Sequence, residues 1–331
     1  MKSGKLAIED IEKKVLVTGG AGFIGSRLVR ALLERGCRVK VLDYRHGPFE
    51  GKKNRNLEFI GIGRDDMHGG MVDKSIVEQA VEDVNVIYHL AINWNGHTWR
   101  HTLPLADLFD INVRSTLNLL EAARSQGVRH FLFSGSCAVY GESKSMVVDE
   151  EAACKPEIWD GDPGRAYGIL KLIIEKLCLL YYHQHGLPVT VFRIEFVFSG
   201  NEALPSKRFI ENVRRGETIE VIEGDGYASI HIDEVVEAFL LAALNKNTYG
   251  QIFNLSNPAT YISYSELYQL LIQLTNSESE VKIVKDPVRL SIGPKRYLYL
   301  LSTDKIQRTL GWKPQKTKED LKKAIVQSVK Q

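Results

Sequence analysis

The sequence predicts an α/β protein: a doubly wound parallel sheet followed by a smaller C-terminal α/β lobe. From Lys14 to about Ile194, short β-branched runs alternate with longer amphipathic ones, the pattern of a parallel sheet with helices on both faces. After Gly200 this alternation stops and shorter elements replace it. A chain of 331 residues is long enough for two packed units. The expected division is 1–200 for the first and mainly 201–331 for the second, with allowance for the chain to cross between them. No repeat or low-complexity linker intervenes, so the lobes are expected to share an interface whose cleft takes a small molecule.

The first lobe's strands are read at KVLVT (14–18), RVKVLD (38–43), LEFIG (57–61), NVIYHL (85–90), RHFLFSG (129–135) and PVTVFRI (188–194). These are near-continuous apolar runs, as strands buried on both faces should be. Helices are expected over 22–35, 74–82, 106–126 and 165–185. In the second lobe the expectations are a helix over 206–215, a strand over 219–222, a helix capped by Asp233 and a terminal helix after Thr317. Trp312, in LGWKP, is expected to pack.

Composition narrows the function classes. Forty-three basic residues against 41 acidic ones give a formal charge of +2, and 44% of the chain is hydrophobic. Neither a nucleic-acid surface nor a membrane surface is expected. The stretch 1–14 is charged and offers no apolar run for a signal peptide, and no later run could span a bilayer, so a cytoplasmic protein is expected. Cys37, Cys137, Cys154 and Cys178 have no Cys-x-x-Cys spacing, which fits reduced thiols better than a disulfide frame or a zinc site.

VLVTGGAGFIG (15–25) places Gly19, Gly22 and Gly25 between a strand and a helix. Glycine suits a tight turn, a backbone that must approach a pyrophosphate and a helix start that offers free N–H groups to it, so this is read as a Rossmann dinucleotide site. The second strand ends in Asp43, where a carboxylate can bond both ribose hydroxyls and repel a 2′-phosphate. NAD is therefore expected over NADP, a preference that neighbouring Arg45 would weaken. Leu90 and Ala91, at the end of the fourth strand, should lie against the cofactor. Asn112 is read as opening a long helix, either holding strand ends through its amide or acting as a plain helix-start residue.

AYGILK puts Tyr167 and Lys171 four apart on one helix face. An ammonium and a positive nicotinamide beside a phenol both favour the phenolate, so a lowered Tyr167 pKa is expected. Tyr167 would then move a hydroxyl proton while hydride leaves the same carbon. Ser136, at the end of the fifth strand, would hold the reacting oxygen. Ser134 is its rival, because residues two apart on a strand share a face.

In order along the chain, TGGAGFIGS, YHLA, INVRSTLNLLEAAR, SGSCAVYGE, YGILKLIIEKL, HIDEVVEAFLLA and LGWKP resemble the extended short-chain dehydrogenases, specifically the NAD-dependent sugar epimerase/dehydratase family. The resemblance covers nearly the whole length. It implies NAD as cofactor, Phe23 and Ile24 along the pyrophosphate, and catalytic roles for Ser136, Tyr167 and Lys171, with the last two also meeting the cofactor. It further implies a homodimer through the helices 106–126 and 165–185. The stripe Leu170, Ile173, Ile174 and Leu177 is consistent with that and equally with burial inside the monomer.

The departures concern substrate. Cys137 and Ala138 follow Ser136 where family dehydratases carry Asp-Glu, which speaks against a 4,6-dehydratase. RIEFVFSG places Glu195 and Phe196 where related epimerases have a substrate-holding Asn, and no Arg lies between Gly226 and His231 to meet a substrate phosphate. Arg208, Arg214, Lys295 and Arg296 are either replacement charges or solvated surface. Asp65 and Asp73 are the candidates to meet an adenine. Asn93, Glu195 and Tyr227 join Ser136 as candidate substrate contacts. His97 and His101 are four apart but lack a third ligand, so no metal is expected.

The expected activity is oxidation or epimerisation of a sugar or nucleotide-sugar hydroxyl. One alternative is a net NAD-dependent dehydrogenase or reductase acting on a non-nucleotide substrate. The other is a catalytically silent NAD-binding regulatory protein, against which the intact Ser136, Tyr167 and Lys171 argue.

Overall fold

The computed structural model describes residues 14–61, 71–92, 104–141, 143, 145–157, 164–200, 207–285 and 300–330. Seven parallel strands form the central sheet: β1 (Lys14–Thr18), β2 (Arg38–Asp43), β3 (Leu57–Gly61), β4 (Val84–His89), β5 (His130–Ser136), β6 (Val189–Ile194) and β7 (Gln251–Leu255). Their order is β7-β6-β5-β4-β1-β2-β3. The order reverses between β1 and β4, and in such sheets ligands bind outside the carboxyl ends of the strands at that reversal. β1 pairs in register with both neighbours there, Val17 opposite Val41 of β2 and Tyr88 of β4.

The helices in chain order are α1 (Phe23–Glu34), α2 (Lys74–Val81), α3 (Leu105–Phe109), α4 (Ser115–Ser125), α5 (Gly164–His185), α6 (Lys207–Arg214), α7 (Ile232–Ala242), α8 (Tyr264–Thr275), α9 (Asp304–Leu310) and α10 (Lys318–Val329). Alternation along the strands sorts side chains to the two faces. On one face Leu16, Ile87, Phe131 and Val189 pack with Val77 of α2, Leu119 of α4 and Leu170 and Ile174 of α5. On the other, Phe239 of α7 meets Tyr88 and Phe192 edge-on, at ring-centroid distances of 6.2 and 4.7 Å.

The chain forms two compact units, each discontinuous in sequence. The first is Met1–Val139, Gly161–Arg193 and Val236–Phe253; the second is Tyr140–Asp160, Ile194–Val235 and Asn254–Gln331. The second unit has its own core, in which Phe198, Val213, Tyr227, Ile262, Leu271 and Leu321 are buried. Short ladders frame it. Phe196–Phe198 runs parallel to Ser229–His231, and Ile219–Ile222 runs parallel to Val281–Val284.

Four expectations change. The sheet has a seventh strand: β7 returns from beyond residue 200 to the sheet edge beside β6, and as QIFNL it lacks the continuous apolar run that marks the inner strands. The run 105–125 is one helical stretch with a π turn at Asp110–Arg114, so Asn112 lies inside it and does not open it. Asp233 is not the cap of α7. The helix begins at Ile232, and the carboxylate of Glu234 accepts the His231 N–H at 3.2 Å. α8, closed by a Ser263–Glu266 capping box, was not expected at all.

Among the described residues no helix is long and apolar enough to cross a membrane. All four cysteines are free thiols, with Cys37 and Cys178 buried. Trp312 is buried, its indole N–H donating to the Glu234 carbonyl at 3.0 Å.

Candidate active site

The β1–α1 turn is built around backbone contact. Gly19 has φ +68°, and a Cβ there would stand 2.8 Å from the Ala91 nitrogen. A Cβ on Gly25 would stand 2.1 Å from the Gly19 carbonyl oxygen. Only glycine fits both places. Gly22 precedes α1 and supplies no side-chain cap, so the first N–H groups of the helix are left for another acceptor. Phe23 is exposed and Ile24 half-exposed beside this turn, and Leu90 and Ala91 are half-exposed at the end of β4.

Asp43 ends β2, buried, with one oxygen accepting the Ala21 N–H at 2.9 Å and the other the Arg45 N–H at 3.3 Å. Burial raises its pKa, and these N–H donors oppose that rise. The carboxylate is thereby tied to the glycine turn itself. The Arg45 side chain lies over the Tyr44 ring, 5.4 Å from its centroid.

α5 and β5 bring the acid–base candidates together. The Tyr167 phenol is hydrogen-bonded with the Ser136 side chain, whose oxygen also accepts the Ala138 N–H at 3.2 Å. Lys171 is buried one turn further on. Its ammonium donates to the Ser134 carbonyl at 2.6 Å and lies 5.8 Å from the Tyr167 ring centroid and 4.9 Å from that of Phe133. The two serines thus divide the work: Ser136 meets the phenol with its hydroxyl, and Ser134 holds the lysine with its backbone.

The expected lowering of the Tyr167 pKa is not produced by this chain's own groups. Burial pushes the phenol up to about 12, with the Ser136 bond acting against it. Lys171 is pushed down to about 7, again by burial. A low-dielectric site disfavours both charged forms.

His89 and Glu175 were not singled out by the sequence, and Asn112 sits inside its helical run instead of at its start. His89, at the end of β4, is buried between Thr18 at 2.7 Å and Thr116 at 2.9 Å. Asn112 donates its amide to the Leu108 carbonyl at 2.8 Å, inside the π turn. Glu175, on α5, grips Arg193 of β6 through two bonds of 2.8 and 2.9 Å. Tyr167, Lys171 and Glu175 are spaced four apart, and that spacing was the available signal for the third.

The remaining candidates have their own surroundings. Asn93, Asp65, His97, His101, Lys295 and Arg296 lie outside the described residues, as does the Arg208 side chain. Asp73 caps α2, accepting the Ser75 N–H at 2.8 Å. Arg214 is exposed at the end of α6. Tyr227 is buried in the second unit's core, its ring 5.4 Å from that of Phe196. Glu195 is buried in the second unit and accepts a hydrogen bond from the Ser256 hydroxyl. Burial pushes its carboxyl up to about 8. The two stretches that depart from the resembled pattern are neighbours, since Phe196 pairs with Ser229 and Phe198 with His231. No group of three or more metal-ligating side chains occurs among the described residues.

A model of the NAD dependent epimerase/dehydratase family matches residues 15–256. UDP-N-acetyl-alpha-D-glucosaminuronate decarboxylase of Bacillus cytotoxicus is 29% identical over 283 residues, 82% of this chain and 83% of that one. UDP-glucuronic acid decarboxylase 1 of Xenopus tropicalis is 30% identical over 325 residues, 94% of this chain and 70% of that one. The crystal structure of a UDP-glucose 4-epimerase with UDP-glucose from Thermotoga maritima superposes with a TM-score of 0.71 at 27% identity, covering 96% of this chain and 98% of that one.

Proposed function

This chain belongs to the NAD dependent epimerase/dehydratase family, and from that premise we propose that it uses NAD to oxidise a hydroxyl of a sugar or nucleotide sugar, with Tyr167 moving the proton. The observation that carries this reading is the meeting of Tyr167, Ser136 and Lys171 at the carboxyl end of β5, in the unit that also holds the glycine turn.

The residues present fit a dinucleotide. Gly19 and Gly25 form a cradle that any Cβ would fill, and the start of α1 has no side-chain cap. In this reading Gly19, Gly22, Phe23, Ile24 and Gly25 meet the pyrophosphate and Asp43, with Arg45 beside it, the ribose. Leu90, Ala91, Asn112, Tyr167 and Lys171 complete the cofactor's surroundings. NAD, when bound, supplies a hydride acceptor and a positive charge near the phenol. Ser136 orients the substrate oxygen, Lys171 stays anchored on the Ser134 carbonyl, and Tyr167 takes the hydroxyl proton and can return it. A phenol near 12 keeps its proton at neutral pH until positive charge arrives, which suits a site that should ionise only when loaded.

The second unit is assigned to substrate recognition, with Glu195 and Tyr227 as its candidate contacts. A second reading has its own support. Phe196, Val197 and Phe198 pair with Ser229, Ile230 and His231, a ladder without Lys or Arg. That favours a substrate lacking a phosphate at this place, hence a net dehydrogenase or reductase on a simpler hydroxyl. A homodimer is part of the first reading, supported by the exposed apolar residues Leu105 and Phe109 on the run 105–125 and Ile169 and Leu180 on α5.

The test is to offer purified protein UDP-sugars, including UDP-glucose and UDP-glucuronate, alongside free sugars. Sugar interconversion, carbon dioxide release and reduced-nicotinamide absorbance are followed together, since decarboxylases are among the relatives. Tyr167→Phe should lower turnover about 10²- to 10⁴-fold with NAD affinity kept. Unchanged turnover would remove Tyr167 from the chemistry.

A further inference from the structure

Beneath the glycine turn runs a buried relay whose hydrogens can be assigned from its ends. The Thr116 hydroxyl donates to the Asn112 carbonyl at 2.6 Å, and a carbonyl can only accept. With its one hydrogen spent there, Thr116 must accept from His89, so Nε2 of His89 carries the proton. A neutral ring then leaves Nδ1 as acceptor for the Thr18 hydroxyl at 2.7 Å, and the Thr18 oxygen in turn accepts the Ala91 N–H at 3.2 Å. The relay therefore reads Ala91 to Thr18 to His89 to Thr116 to Asn112, with every donor matched to an acceptor. Reversing the tautomer would set the Nε2 lone pair against the Thr116 oxygen, whose hydrogen is already given to Asn112.

The two ends of this relay are functional places. Ala91 is the residue whose backbone closes on Gly19, where the turn has no room for a Cβ. Asn112 lies in the π turn of the run 105–125, and such turns mark places where a helix is adapted to a site. The ring itself stacks on Phe133, 5.6 Å between centroids, and Phe133 also carries the Lys171 ammonium on its face. A charged imidazole beside that ammonium would be repelled by it. Burial and the Lys171 charge both hold His89 neutral, down to about 3.

We propose that His89 is a positioning residue, locked as its Nε2–H tautomer between Thr18 and Thr116, through which the π turn holds the β4 end against the glycine turn. The inference rests on the NAD reading for its binding readout and on geometry alone for the tautomer. It makes a distant residue matter: among the described residues the Thr116 hydroxyl bonds His89 and Asn112, yet it should tune NAD affinity.

Two measurements on the full chain decide it. Nitrogen-15 histidine NMR, with His89 assigned by its loss in His89→Gln, should show a neutral Nε2–H ring that does not titrate between about pH 5 and 8. An Nδ1–H ring, or one that protonates in that range, overturns the lock. Titrated with NAD, Thr116→Val should bind about tenfold more weakly than wild type and Thr116→Ser about as well as wild type, because Ser keeps the hydroxyl. Wild-type affinity in Thr116→Val, while wild type binds NAD, overturns the coupling alone. A wild type that binds no NAD overturns the functional reading and the coupling together.

Discussion

Glu175 and Glu195 are both buried carboxyls, one in each unit, and they are held in opposite ways. Glu175 is 0% exposed and holds the Arg193 guanidinium with both oxygens, one of which also accepts from the exposed Lys176 ammonium at 3.3 Å. Glu195 is 9% exposed, has no cation among the described residues and accepts its side-chain bond from the Ser256 hydroxyl. The first arrangement sets a carboxylate among cations and fixes α5, which carries Tyr167 and Lys171, to β6. The second keeps a carboxyl neutral near pH 7 and leaves it free to serve as a hydrogen-bond donor. One buried carboxyl is thus tied to cations in the first unit, and the other is tied to a hydroxyl in the second.

The contrast breaks most visibly at Glu175. Glu175→Gln leaves Arg193 buried without its counter-charge and should cost about 3–5 kcal/mol in urea denaturation. Pairing it with Arg193→Met should recover part of that loss, because the stranded charge goes as well. A small loss in the single variant would mean the pair is not the anchor described.

An intermediate effect is expected at Glu195 and depends on pH. Its folded pKa, about 8, lies above the ordinary 4.5, so between these values the folded state binds a proton that the unfolded state has released. Stability from this group is present below about pH 4.5 and is lost as pH rises through about 8. Glu195→Gln cannot lose it. The variant should therefore gain on wild type between about pH 5 and 9 by on the order of a few kcal/mol, read from thermal melts. Parallel curves would show that Glu195 is ionised in the fold, and the contrast with Glu175 would vanish.

Asp43 is a third case, a buried carboxylate held by backbone N–H groups instead of a cation or a hydroxyl. Asp43→Ala should weaken NAD about tenfold and NADP less. Equal weakening of both would take Asp43 out of the ribose site and leave it only the task of shaping the glycine turn.

What could be read in the sequence followed from how strongly local pattern constrains each part. β1, β2 and β3 fall where their apolar runs placed them, and the inner strands and long helices shift by a residue at their ends. Strands buried on both faces leave little doubt about what they are. β7 escaped because Gln251 and Asn254 interrupt its short apolar run and its partner β6 lies far back in the chain. Tyr167 and Lys171 were legible because one helix turn carries both. Arg193 and Glu175 were not, since nothing local tells a residue on a strand that it will meet a particular helix residue 18 positions earlier. The upward push of burial on the Tyr167 phenol was hidden for a related reason: the neighbouring charge can be read from spacing, but burial comes from the whole fold.

The π turn at Asp110–Arg114 also has an arithmetic consequence. Such a turn holds one residue more than an ordinary helix requires, so the run 105–125 contains a built-in insertion. Removing a single residue from 110–114 would let the whole run close as a regular α-helix with its hydrogen-bond ladder intact. Because the bulge itself absorbs the extra residue, the flanking turns would keep their facing, with Leu105 and Phe109 still exposed. The change would fall on the turn, where the Asn112 amide donates to the Leu108 carbonyl and the Asn112 carbonyl receives the Thr116 hydroxyl. The length of this segment is thus set by what the turn presents locally, not by the facing of the helix around it.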